Sequence, residues 1–164
     1  MPEALHSLRA IMTASERANV GDGLALQQAY DEGTFRYFLA LEQRRAKRSG
    51  RPFWLILVSF DDPADAETPI DTTMAAAVFA RLWRCFRETD FIGWYRESRV
   101  AGVVLTEMRD GVDGAVVRLT DQRVRRVLCD GLPADVARRL HVQVYPHSFL
   151  SQRPWLGPED SGDA

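Results

Sequence analysis

The chain has 164 residues, 46% of them hydrophobic and 27% charged, with a formal net charge of -2. That is enough for one globular domain around one core, and it offers no bulk attraction toward nucleic acid or an anionic membrane surface. No apolar run approaches the about 18 residues that span a bilayer, and the opening MPEALHSLRAIMTASER lacks a signal-peptide core, so a cytoplasmic protein without membrane insertion is expected.

Residues 1–30 contain two weakly amphipathic pieces, PEALHSLRAIMTASER and LALQQAY, separated by the breaker GDG, and are expected to form a helical lead. The next helix, TFRYFLALEQRRAKR, is expected to take Thr34 as its cap. Phe35, Phe38, Leu39 and Ala46 form its apolar stripe, and its basic residues gather where the helix dipole favours them. FWLILVS, 53–59, is an unbroken apolar run bounded by Pro52 and DDP, and reads as a central buried strand.

Asp71 or Thr72 can cap a helix over MAAAVFARLWRCFRE, whose Met74, Val78, Leu82, Cys85 and Phe86 recur at helical spacing. Residues 91–105 read as a hairpin. A helix through AVVRLTDQRVRRVLC is expected to bury Val116, Leu119, Val124 and Leu128 opposite a basic face, and GLP ends it. LHVQVYP alternates Leu140, Val142 and Val144 against His141, Gln143 and Tyr145, the period of a half-exposed strand. SQRPWLGPEDSGDA, rich in Pro, Gly and acid, reads as a flexible tail over 150–164.

From 53 to 146 the order is strand, helix, strand, strand, helix, strand. With right-handed crossovers this closes into an α+β, ferredoxin-like sheet with those two helices on one face. Cys85 and Cys129 lack Cys-x-x-Cys spacing and read as reduced thiols; His6, His141 and His147 are scattered, without metal-ligand spacing. SFDDP suggests the acidic pair of a receiver domain, but the only lysine is Lys47, ahead of the strand, which removes that reading.

The stretch DEGTFRYFLALEQRRAKRSGRPFWLILVSFDD, the segment FRETDFIGWY and the late strand LHVQVYP together resemble a GGDEF domain of the diguanylate cyclases, in degenerate form, over 31–149. The resemblance implies a nucleotidyl cyclase-type fold. In active members the hairpin turn carries two glycines, for close approach of the nucleotide, and acids that hold Mg²⁺. Here the matching positions are Arg96, Glu97, Ser98, Arg99 and Val100, and the first metal-binding acid at the strand end is Ser59, leaving Asp61. Carboxylates must bridge cations about 3.5–4 Å apart for two-metal phosphoryl transfer. No enzyme activity, no metal and no cofactor are expected.

Many such domains carry an Arg-x-x-Asp five residues before the signature turn, where it forms an inhibitory site for the product. Arg87 and Asp90 stand in that register, with FIGWY between Asp90 and Arg96. Arg87 offers a planar fork for guanine O6 and N7, and Asp90 an acceptor for its N1–H and amino group. The resemblance draws a further arginine from the following helix: Arg123, with Arg126 or Arg118 as alternatives across an insertion. Trp94 and Tyr95 are stacking candidates or else one core and one surface strand residue, and Arg81, Arg84 and Arg87 form a positive groove or only a solvated helix face. Without a ligand, Arg87 and Asp90 reduce to a helix C-terminal cation and a turn acid.

The leading expectation is a catalytically inactive cyclic di-GMP receptor using Arg87, Asp90 and Arg123, with a protein partner or homodimer, in a pathway such as exopolysaccharide synthesis or export. The competing expectation is a ligand-independent interaction or dimerisation module. A third, an enzyme acting on another nucleotide, rests on Asp61 and Glu97 alone.

Overall fold

The computed structural model describes residues 23–60, 69–106, 108 and 114–147. Residues 1–22, the strand-end Asp61 and the expected tail therefore lie outside the described residues. After a short helix over 23–28 come α1 (Glu32–Ser49), β1 (Trp54–Phe60), α2 (Thr72–Cys85), β2 (Phe91–Arg96), β3 (Val100–Leu105), α3 (Gly114–Cys129), α4 (Ala134–Arg138) and β4 (Leu140–Pro146). The five-residue α4 is not anticipated by the sequence reading, since one turn and a half is too short to show a periodicity.

The sheet order is β2-β3-β1-β4, antiparallel throughout, with Leu57 opposite Gly102 on one side and Gln143 on the other. This is the split βαβ arrangement expected. β1 is central because its side chains are apolar on both faces: Trp54, Ile56, Val58 and Phe60 meet α2 and α3 through Phe79, Leu82, Val124 and Leu128. Leu55 turns the other way, to Phe35, Leu39 and Ala46 of α1. The helix that precedes β1 thus makes a third layer on the opposite face.

Two glycines let that layer approach. Gly93 and Gly102 are register partners across β2 and β3. A Cβ at Gly93 would stand 2.5 Å from the Tyr30 carbonyl oxygen, and one at Gly102 2.5 Å from the Phe35 ring. In the space so opened, Tyr30 bridges the edge of β2, its N–H donating to Ile92 O and its carbonyl accepting from Trp94 N. The exposed edge of β2 is thereby partly covered.

The α1 cap differs from expectation. Asp31 is the N-cap: its carboxylate accepts from both the Thr34 N–H (2.8 Å) and the Thr34 hydroxyl (2.9 Å), so Thr34 sits inside the first turn. These bonds favour the ionised form and lower the Asp31 pKa. Of the two caps expected for α2, Asp71 is the one that forms, accepting from Met74 N, and Thr72 opens the helix. On α3 the buried face is Val124 and Leu128, with Val117 packed against the core. Val116 and Leu119, expected inside, are exposed. The apolar set of α3 is wider than the contact its neighbours offer, so one side of it remains in solvent.

Candidate functional site

The Arg-x-x-Asp segment joins the end of α2 to the start of β2. α2 stops at Phe86, whose extended backbone (ψ 170°) takes it out of the helix. Asp90 then turns the chain back. Its N–H donates to Arg87 O (3.0 Å), its Oδ2 accepts from Arg87 N (2.9 Å), and its Oδ1 accepts from Thr106 N (3.2 Å), just beyond β3. The Thr106 hydroxyl donates to Thr89 O and closes the same corner. Asp90 is 6% exposed, and each of its oxygens has given one lone pair to a backbone amide. The carboxylate therefore holds backbone, and the Arg87 guanidinium has no hydrogen bond or ion pair among the described residues. Arg87 is exposed above the corner that Asp90 ties together.

Arg123 reaches this corner from α3. Its Nη2 donates to Cys85 O (3.2 Å), one of the carbonyls that the last turn of α2 leaves without a helical partner. The structure thus brings Arg123 and the α2 end together, two residues before Arg87, across a separation in sequence of more than thirty residues. Burial raises the Cys85 thiol pKa, and the Arg123 charge opposes that rise only in part, so Cys85 remains a thiol. Of the alternatives, Arg118 and Arg126 are exposed on α3. Arg125, by contrast, is tied to Asp121 and to the carbonyls of Leu140 and Val142.

The other basic and aromatic candidates separate in the same way. Arg81 is held by Asp130 O and Ala77 O, whereas Arg84 is exposed. Trp94 is a core residue, edge-on to Phe79 at 4.9 Å. Tyr95 lies half-buried on the α1 side, its carbonyl accepting from Arg36 Nε and its ring 5.5 Å below that guanidinium. Burial raises its pKa.

At the far end of the hairpin, the signature turn is fastened from two sides. The Glu97 N–H donates to Glu32 Oε2 (2.7 Å), while Glu32 Oε1 pairs with Arg36 (3.0 Å), and Ser98 O accepts from Ile70 N (2.7 Å). Ser98 has φ 55°, the left-handed region that glycine adopts freely. A cavity of about 370 Å³ opens beside it, lined by Asp31, Thr72, Trp94, Glu97 and Ser98 together with residues of the leading helix.

The divalent cations of cyclase chemistry do not fit the described residues here. Positions 59 and 98 carry neutral hydroxyls, the Asp31 carboxylate is committed to its cap, and Glu97 is the one acid of the turn, so that among the described residues no three His, Cys, Asp or Glu side chains converge. Hard cations need several anionic oxygens converging on one point.

Solved structures share this architecture. A crystal structure of a DGC protein from Thermotoga maritima matches with a TM-score of 0.50 and 14% identity, over 74% of this chain and 82% of that one. The isolated GGDEF domain of TpbB (YfiN) from Pseudomonas aeruginosa matches with a TM-score of 0.51 and 14% identity, over 73% and 72% of the two chains. The fold is GGDEF-like. No family model matches the sequence, and no curated protein does. At this identity the likeness speaks for the fold alone.

Within the GGDEF-like fold, Asp90 ties the Arg87 backbone to Thr106 at the end of the sheet where β2 begins and β3 ends, and Arg123 is bonded to Cys85 O at the adjoining end of α2. Thr106, the partner of Asp90, and Glu32, the acid that pins the signature turn, were missed by sequence reasoning. Thr106 lies sixteen residues from Asp90 and Glu32 sixty-five from Glu97, and neither carries a local pattern.

Proposed function

We propose that this GGDEF-like domain is a catalytically inactive receptor for cyclic di-GMP, bound at the corner formed by Arg87, Asp90 and Arg123. The observation that carries the reading is the Arg123 bond to Cys85 O, which anchors a second guanidinium at the α2 end, two residues before the exposed Arg87. Two forks at one corner suit a ligand that presents guanine acceptor edges and phosphates together. Arg87 takes guanine O6 and N7; Arg123 takes the second base or a phosphate; Asp90 holds the loop and accepts from the base through its remaining lone pairs.

The lack of catalysis follows from the donor set. The resemblance puts Ser59 and Ser98, neutral hydroxyls, at positions where two-metal transfer requires carboxylates. GTP incubated with the protein and Mg²⁺ or Mn²⁺ should yield no cyclic di-GMP; measurable product would refute the assignment as inactive.

Titration calorimetry tests the receptor reading. The full chain should bind cyclic di-GMP at micromolar concentration or tighter, Arg87→Ala should abolish the heat, and Arg123→Ala should weaken binding about tenfold, equivalent to ~1.4 kcal/mol. Absence of heat with the unmodified chain would end it. By analogy with receptors of this type, the downstream process is control of exopolysaccharide synthesis or export. The exposed Val116 and Leu119 favour the second reading, an interaction module that needs no nucleotide; capture of a protein partner unaffected by cyclic di-GMP and by Arg87→Ala would support it.

A further inference from the structure

α3 presents an unpartnered outer face. Val116 is 41% and Leu119 64% exposed, and Arg118, Arg123 and Arg126 stand exposed around and beyond them on the same helix. An apolar pair ringed by guanidinia matches a ligand that is apolar at one end and acidic at the other. The segment PWLGPEDSGD, 154–163, has that chemistry: Trp155 and Leu156 are followed by Glu159, Asp160 and Asp163, with no basic residue among them.

We infer that this segment docks on the outer face of α3, with Trp155 and Leu156 on Val116 and Leu119 and the acids toward Arg118, Arg123 and Arg126. The chain path permits it. β4 ends at Pro146 opposite Trp54, at the same end of the sheet as Leu105, from which the chain leads to the start of α3. α3 also lies along β4, to which Arg125 ties it through Leu140 O and Val142 O. From His147 to Trp155 is eight residues, a reach of up to ~26 Å when extended. A second copy of the chain is a poorer occupant, because a two-fold contact through this face would set its arginines against one another. The docking does not depend on the receptor reading. If both hold, Arg123 serves two contacts, and the docked segment and a phosphate-bearing ligand exclude each other.

The test is methyl NMR of the full chain with Val116 and Leu119 assigned. Trp155→Ala and, separately, Glu159→Lys with Asp160→Lys and Asp163→Lys should shift both residues' methyl signals. High salt should move the unmodified chain toward the charge-reversed variant, since exposed charge pairs are screened. Signals that stay fixed in both variants overturn the inference. Signals that move on dilution but not with these substitutions also overturn it, and assign the face to a second copy.

Discussion

Asp90 accepts the backbone N–H of Thr106 at 3.2 Å while its other oxygen holds the N–H of Arg87 at 2.9 Å. One buried carboxylate thus joins the α2 end to the end of β3, and this separates the two halves of the Arg-x-x-Asp. Asp90→Ala leaves two amides without their acceptor and should cost about 2 kcal/mol or more, measured by urea denaturation. Arg87→Ala removes only an exposed side chain and should stay within about 0.5 kcal/mol of the parent. Loss of ligand binding in Arg87→Ala with stability intact is then a statement about the site.

Gly102 touches Phe35 so closely that a methyl group has nowhere to go. The Phe35 ring is fully buried and fixed between α1 and the sheet. Gly102→Ala should destabilise by about 1–3 kcal/mol through overpacking, read as a lowered denaturation midpoint. The double variant with Phe35→Leu should recover part of that loss.

Ser98 sits at φ 55° in the signature turn. A β-branched side chain is strained there, so Ser98→Val should cost about 1–2 kcal/mol, whereas Ser98→Gly should not lower stability. Equal midpoints for the valine and glycine variants would show that the turn relaxes instead of holding its conformation.

His147 lies against Phe53, ring centroids 5.0 Å apart, and its N–H donates to Phe53 O. Burial, with Lys47 adding to it, holds its imidazole below the usual 6.5. The folded protein therefore binds this proton less readily than the unfolded chain. Its contribution is fully present above 6.5 and is lost as pH falls from 6.5 through the lowered folded value. Denaturation midpoints should fall across that window, and His147→Gln should flatten the slope.

Much of this was legible because it is local. Branched and aromatic residues without interruption marked β1 as central, and Leu140, Val142 and their polar alternates marked β4 as half-exposed, which the structure places at a sheet edge. Asp71 and Thr72 together announced the start of α2, and Asp71 made the cap. Local pattern failed where two candidates satisfy the same rule. Asp31 and Thr34 both suit a cap, and the hydroxyl ended as a donor to the carboxylate. Val116 and Leu119 fit an apolar stripe as well as Val124 and Leu128 do, but α2 and the sheet cover only the latter pair.

By itself, then, the sequence determined the kinds and order of the elements apart from α4, their antiparallel closure and the chemistry of a turn with serine and arginine in place of glycine and acid. Those properties follow from residue spacing and from which groups carry charge. Only the tertiary structure decided that α1 lies across the sheet from α2 and α3, that the Asp90 carboxylate accepts from the backbone of Thr106 and Arg87, and that Arg123 meets the α2 end. Each of these depends on a partner far away in the chain, and a hydrogen bond or a packed face leaves no periodic trace in the residues between.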